Sequence, residues 1–425
     1  MKIEQILIYE QDNFNAFYPF CILHPSWELR VGALRIFEKY QRLFPEAKII
    51  YHSNRETHTK FFLEKFNLTN HELAKANTLI VPANFIPSHS QLEEINRLYA
   101  NHKIEKGETS FIFRTDEQPI ALYLKAEDII NPSTADTSFL CRMLNDFAEM
   151  FAGAELSNPM FINFIWDAIY ANERALVEDE YLFADYKRFA ESDFKAVTAY
   201  NESRIYLGES VKIEPNVFLN AEAGPIIIDD HTKIMANSVI VGPCYIGRRT
   251  TIKIASKIYE KTSIGEHCKI GGEVENSIIQ AYSNKQHEGF LGHSFLSEWV
   301  NLGANTNNSD LKNTYNNIIL QIEDHKVETG KMFLGLLCGD HTKTAINSSF
   351  STGSVAGVCS SIVCDGFPPK FIKSFSFGGE TNSPIYGLEK SIEVARTVMA
   401  RRNKELSDTE IELFKKEFEH SKCFF

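Results

Sequence analysis

His287 and His293 stand six residues apart in QHEGFLGHSFLSEWVNLGANT (286–306), a segment rich in glycine, asparagine and small residues. Imidazole titrates near neutrality, so a histidine within hydrogen-bond reach of an incoming amine can take its proton. A lone histidine is more often a solvated or packed ring, and that alternative stands beside the catalytic one for both residues. The eight cysteines, by contrast, form no C-x-x-C pair, and they read as reduced packing residues rather than redox or zinc ligands.

The elements that must position these histidines are announced by a beat of six. Ile228, Ile234, Ile240, Ile246, Ile252, Ile258, Ile264 and Ile270 recur at that interval, with Thr232, Ser238, Cys244, Thr250, Ser256, Thr262 and Cys268 four residues after the first seven. Neither a helix nor a half-buried strand has this period. Short strands with a tight turn after each do, and three such strands close a triangular coil of eighteen residues whose isoleucines stack from coil to coil. The beat also appears at Leu207, Ile213 and Leu219, at Phe290, Leu296 and Leu302, and in weaker form from Cys338 to Ile362. It predicts a β-helix from about 203 to 365. The beat stops after Ile270, and His287 lies in the gap just before Phe290.

Before the repeat, apolar strands alternate with amphipathic helices: strands at 5–9, 48–51 and 78–82, helices at 33–43, 58–65 and 90–99. That alternation predicts an α/β, Rossmann-like domain with a largely parallel sheet. Helix is also expected over 139–152 and 161–179. The reading therefore divides the chain into an α/β domain at 1–200, a β-helix at 201–383 with an inserted arm at 307–331, and a helical tail at 384–425. The net charge of −12 argues against a nucleic-acid partner. No cleavable leader and no membrane-length apolar run is read, so a cytoplasmic protein with small-molecule partners is expected.

An α/β domain followed by hexapeptide repeats resembles the sugar-nucleotide pyrophosphorylases fused to left-handed β-helix acyltransferases, such as the bifunctional N-acetylglucosamine-1-phosphate uridyltransferase/glucosamine-1-phosphate acetyltransferases. The segment FYPFCILHPSWELRVGALRIFEK, with Pro19, Pro25, Leu29, Arg30, Gly32, Glu38 and Lys39, is similar to the signature of a Bacteroidetes branch of sugar nucleotidyltransferases. The resemblance implies acyl, in the first place acetyl, transfer from acetyl-CoA to an amino-sugar 1-phosphate on a trimeric β-helix. It also implies nucleotidyl transfer from a nucleoside triphosphate, with Mg2+, in the amino-terminal domain. His287 matches the family base, with Leu291 and Gly292 four and five residues on and Thr306 nineteen on; His293 is the competing candidate. Lys285, Asn308 and Lys312 would hold the sugar phosphate, and Ala345, Ser354, Ala356 and Lys370 would line the coenzyme A groove. The family tyrosine three residues after the base is Phe290 here.

Two departures bear on the amino-terminal site. YEQDNFNAFYP has no glycine where the family has a phosphate-cradling glycine loop, which leaves Arg30 and Lys39 as the phosphate partners, or as an ordinary surface arginine and a Glu38–Lys39 helix pair. Asn84 stands where the metal aspartate is expected, with Asp116 and Asp167 as the remaining candidate ligands for the ion. Two other readings stay open. The amino-terminal domain could bind a nucleotide sugar without catalysis, or the β-helix could be a metal enzyme of the γ-carbonic-anhydrase type, which needs three convergent histidines.

Overall fold

The computed structural model describes residues 1–107, 109–116, 118–129, 144, 151–380 and 383–423; most of the helix expected over 139–152 lies outside them. The chain gathers into two compact units. One comprises residues 1–16, 24–29 and 34–163, the other residues 17–23, 30–33 and 164–425. The expected boundary at 200 thus falls inside the second unit.

In the first unit, Gln5–Tyr9 runs parallel between Lys48–His52 and Thr78–Pro82. All five residues of QILIY are buried, as befits a strand covered on both faces. Helices α1 (Ile36–Leu43), α2 (Glu56–Phe66) and α3 (His89–Lys106) follow the three strands in alternation. Phe37, Phe62 and Trp27 lock α1 and α2 in place edge to face, at centroid distances of 4.9 and 5.7 Å. The sequence reading missed the far side of this sheet: Phe111–Thr115 and Gln118–Leu124 form a hairpin that adds antiparallel strands, and Gly153–Glu155 pairs parallel to Phe111–Thr115 beyond it.

The second unit is a parallel β-solenoid. Ile228 pairs with Ile246 and Ile246 with Ile264, eighteen residues apart at each step, and the eight isoleucines of the beat lie in one core at 0 or 1% exposure. The small residues fill the corners. Thr232 and Thr250 donate their hydroxyls to the carbonyls of Gly247 and Gly265 in the next coil, at 2.9 and 2.8 Å. Every sixth residue from His231 to Lys261, except Pro243, takes a left-handed φ, and so does His267. A single left-handed residue at each corner turns the strand, at a cost of about 1–2 kcal/mol per non-glycine residue. Buried coil-to-coil stacking must offset it.

The beat breaks where coils shorten. Ile264 pairs with Ile279 and Ile270 with Lys285, fifteen residues on instead of eighteen. When it resumes, the inward residue is Leu291, paired with Val274, whereas Phe290 pairs with Glu273 on the outer column. Counting in sixes put Phe290 inside; the structure shifts that strand by one residue, which exchanges the two faces.

The three faces differ in what they turn outward. The first carries Ile227, Tyr245, Ile278, Phe295, Leu337 and Val355, all buried, because α4 (Ile165–Asp179) and residues 17–23 lie on it. Phe20 meets Phe295 at 5.7 Å, and Asn172 of α4 accepts from Ser263. The second turns out Phe218, Val239, Lys257, Glu273, Phe290, Asn307 and Ser349, and the third Lys212, Lys233, Thr251, Lys269 and Asn284. The tail forms helices α5 (Leu388–Ala400) and α6 (Asp408–Lys422). Phe414 and Phe418 of α6 pack on Phe375 at a corner of the late coils.

Ile264→Ala should lower unfolding stability by about 2–5 kcal/mol. Ile254→Ala, at a corner and 55% exposed, should change it by less than about 0.5 kcal/mol. Denaturant unfolding of the two variants checks the inward assignment, which equal shifts would contradict.

Candidate functional site

The corner between Asn284–Lys285 and Phe290–Gly292 carries His287, exposed on the loop Gln286–Gly289. The turn of the next coil, Gly303–Asn305, lies directly against this loop: Asn305 N–H donates to the Glu288 carbonyl at 2.9 Å. One coil further, Asn347 N–H donates to the Ala304 carbonyl at 2.8 Å, so Ala345, Ile346 and Asn347 continue the same corner. The structure thus brings His287, the Gly303–Thr306 turn and Ala345 into one column. Below His287 that column ends in apolar surface, with Ile346, Val363 and Phe367 each more than half exposed.

Lys285 and Asn308 do not face a substrate. Lys285 occupies the inward position that Ile270 holds one coil earlier, is 2% exposed, and donates to the carbonyls of Gly271, His287 and Gly289 at 2.9, 3.3 and 2.5 Å. Its three N–H groups are spent on the backbone of the His287 loop, and it positions that loop from within. Burial pulls its ammonium down to about 8. Asn308 is likewise internal, giving Nδ2 to the Gly292 carbonyl and taking the Gly292 N–H, at 3.0 and 3.1 Å. Ser354 and Ala356 are fully buried and Ala356 belongs to the prism core, so of the residues proposed to line a groove only Ala345 reaches the surface column.

His293 sits at the next corner, at the far end of Phe290–Gly292. Its Nδ1 is 2.8 Å from Asp310 Oδ2, and its ring stacks on Phe333 at 5.0 Å. Asp310, which the sequence reading did not single out, opens the arm that leaves at this corner. The arm folds back on its own subunit: in the hairpin Ile319–Ile322/His325–Glu328, Leu320 is buried, as is Ile318 just before it, and both pack against Gly353. Lys312 donates to the Asn317 carbonyl at 2.9 Å. Lys370, just before the last strand of the first face, has its ammonium lowered by desolvation and by Lys312, which places these two cations together. Lys370 and Lys373 also line a pocket of about 380 Å3 with Gln321, Phe371 and Ser376. His231 and His341 occupy the third corner, so the four histidines are spread over all three corners and do not converge as a three-histidine metal site requires.

The amino-terminal signature is a clip. Arg30, 1% exposed, donates to the Gln280 carbonyl at 3.2 Å, the Ala33 carbonyl and Glu266 at 2.9 Å. Gly32 N–H donates to Asn172 Oδ1 and Ala33 N–H to Asp179 Oδ2. Gly32 has φ +78°, and a Cβ there would strike Ala175 and Asp179 of α4. Arg30 is therefore not a phosphate partner, because every guanidinium nitrogen already has an acceptor. Lys39 is fully buried in α1. Asp167 caps α4 by accepting from Phe164 N–H at 3.0 Å and lies 3.8 Å from Lys331; a helix cap paired with a lysine does not fit a Mg2+ ligand. Asp116 stands at a left-handed turn, with φ +46°. Asn84 is buried with its Oδ1 unpartnered. Among the described residues no three His, Cys, Asp or Glu side chains group as a metal would need.

After Gln5–Tyr9, where the family's glycine loop is expected, Glu10 takes hydrogen bonds from Ser26 N–H and Oγ, Ser53 Oγ, and Arg55 Nε and Nη2, at 2.6–2.9 Å. Burial alone would raise this carboxyl, but Arg55 and the hydroxyl donors hold it below the usual range. A carboxylate of the chain itself thus occupies the anion position beside Arg55.

Lys285 gives a pH signature. Its folded pKa of about 8 lies below the ordinary 10.5, so between those values the folded chain holds fewer protons than the unfolded one and stability rises with pH; below about 8 the penalty is constant. Lys285→Met should remove this slope, seen as the difference between wild-type and variant unfolding from pH 7 to 10.5, and should speed amide exchange at 286–289.

Residues 6–187 match the family described as sugar nucleotidyl transferase. A bifunctional sugar-1-phosphate nucleotidylyltransferase/acetyltransferase of Sulfurisphaera tokodaii is 30% identical over 147 residues, 34% of this chain and 36% of that protein. The bifunctional protein GlmU of Methanococcus aeolicus is 31% identical over 148 residues, 34% of this chain and 35% of its own length. The matched stretches thus span little more than a third of these relatives. No helix among the described residues is long and apolar enough to cross a membrane. A match to the sugar nucleotidyl transferases over residues 6–187, which takes in most of the α/β unit and α4, together with a parallel β-solenoid, makes this chain similar to the bifunctional sugar-1-phosphate nucleotidylyltransferase/acetyltransferases.

Proposed function

We propose that this chain transfers an acyl group, acetyl in the first instance, from coenzyme A to the amine of an amino-sugar 1-phosphate at the His287 corner. The domain over residues 6–187 would carry the nucleotidyl transfer implied by its family. The observation that carries the acyl reading is the column itself: His287 on a loop held by Lys285, directly above the small-residue turns Gly303–Asn305 and Ala345–Asn347. In the step, the amine nitrogen attacks the thioester carbonyl and the C–S bond breaks as the N–C bond forms. The amine proton passes to His287 and then to the leaving thiolate. Such a base contributes about 10²–10⁴-fold.

A homotrimer is part of this proposal, and what the prism leaves uncovered supports it. The first face lies under α4 and residues 17–23, α6 packs on the third corner, and the third face presents lysines that would repel one another around an axis. The second face, mixed and half-buried, is left to meet its copies. A three-fold arrangement on that face sets the His287 corner of one subunit beside the His293 corner of the next. Lys312 and Lys370 would then face coenzyme A phosphates. The paired His293–Asp310 carries a second reading, in which that imidazole is the base.

With acetyl-CoA and glucosamine 1-phosphate, His287→Ala should lose about 10²–10⁴-fold in thiol release while His293→Ala keeps it; the reverse pattern would move the base to His293. Lys370→Ala should raise the KM for acetyl-CoA about tenfold with little change in kcat, as removal of one charge-assisted hydrogen bond to the bound cosubstrate would do. Incubation with nucleoside triphosphate, sugar 1-phosphate and Mg2+ reads the other domain by pyrophosphate release.

A further inference from the structure

The corner opposite the second face carries a ladder of rings, one per coil. His267 stacks on Tyr282 at 5.0 Å and 8°, Tyr282 on Trp299 at 4.3 Å and 13°, and Trp299 on His341 at 6.0 Å and 15°. All four residues turn the chain with a left-handed φ. Phe414 of α6 closes the lower end, edge-on to His341 at 5.3 Å. The upper end, at half-buried His267, is surrounded by cations. His267 N–H is tied to the Arg248 carbonyl at 3.0 Å, beneath the corner where Arg249 turns. Two residues on, Lys269 points out from the third face beside Asn284. Arg402, after the end of α5, donates to Asn284 Oδ1 at 3.4 Å, bringing Arg401 and Lys404 with it.

Arg249, Lys253, Lys269, Arg401 and Lys404 make no ion pair among the described residues, although the chain carries a net charge of −12. They crowd one another: the Lys269 ammonium is lowered by desolvation, then by Arg402, Lys253 and Arg401. The His267 imidazole is lowered by desolvation and by Arg249, Arg402 and Lys404. Glu266, the carboxylate acting on His267, is committed to Arg30 at 2.9 Å. Holding like charges together without counter-charge is unfavourable, and an anion relieves it. The cations span neighbouring coils, about 4.8 Å apart, and a helix end, which is wider than one phosphate needs.

We propose that this corner is a binding site for a diphosphate group, held by Arg249, Lys269 and Arg402 with Arg401 and Lys404 at its rim, and separate from the His287 column. The source is either free pyrophosphate or the diphosphate of a nucleotide, whose base would lie beside the open face of the ring ladder. Arginine supplies forked donors to phosphate oxygens and lysine a point charge.

Isothermal titration of the full chain with pyrophosphate and with a nucleoside diphosphate, against sulfate at equal ionic strength, tests this in wild type and in Lys269→Ala/Arg402→Ala. Removing two charge-assisted hydrogen bonds to the anion should weaken binding by about a hundredfold, while acyl transfer and the melting temperature stay unchanged. Any diphosphate bound by the 6–187 domain persists in the variant, so only the difference counts. A nucleotide that binds more tightly than pyrophosphate and shifts Trp299 emission identifies the nucleotide as the source; equal affinities identify the free diphosphate. Identical isotherms in wild type and variant, or binding no tighter than that of sulfate, overturn the proposal.

Discussion

No coil of the solenoid can bury its inward side chains by itself; each large residue is covered by the residue at the same position one coil away. That dependence on neighbours organises the second unit. It demands strict pairing of Ile228 with Ile246 and of Ile246 with Ile264, and it turns the corners from His231 to His267, except at Pro243, through a left-handed residue. It also explains why Lys285 can be tolerated inside. The lysine enters the isoleucine column at a shortened coil, where the corner carbonyls of Gly271, His287 and Gly289 come within reach of its ammonium. A buried cation without such acceptors would lose its proton or its place.

The same pairing decides how much of the molecule could be read from sequence. The scaffold was legible because an isoleucine every six residues has one geometric meaning. The strand–helix alternation of the first sheet was legible for the usual reason of period, though the 111–124 hairpin was not singled out. The site was half legible: the offsets from His287 to Thr306 place loop and turn at one corner, as the structure does. Asn308 was assigned a substrate role by the resemblance, although six residues after Leu302 it keeps the inward place of the beat; Lys285 and Phe290 were misread for another cause. Coils of fifteen residues shift the count, and inward and outward positions exchange when it shifts. Asp310 had no signal, since its pairing with His293 depends on how the arm leaves the prism. Arg30 resembled a phosphate ligand only because the turn it clips onto, 236 residues downstream at Glu266, cannot be seen from the motif.

What the faces turn outward is as much a product of sequence as what they turn in. An apolar outer column had to be covered, and α4 with residues 17–23 does so. A lysine column stays open, and a mixed column is left for other copies of the chain. The corners then take the chemistry: one holds His287, one holds His293 with Asp310, and the third stacks four rings beneath a cluster of unpaired cations. In the first unit the balance is reversed, because Glu10 satisfies Arg55 internally at the place where a phosphate would be expected.

The corners have a consequence for how such a molecule can change. The coils on either side of Gln286–Gly289 hold register through their own backbone ladders, and loop length costs little in closure entropy. The arm at 309–335 shows that even a whole hairpin can be spliced in at a corner while Phe295–Leu296 still pairs with Leu336–Cys338 across it. Scaffold and chemistry are therefore separable modules: residues at a corner can be exchanged, lengthened or transplanted between coils, and the prism around them sets where the new side chains are presented.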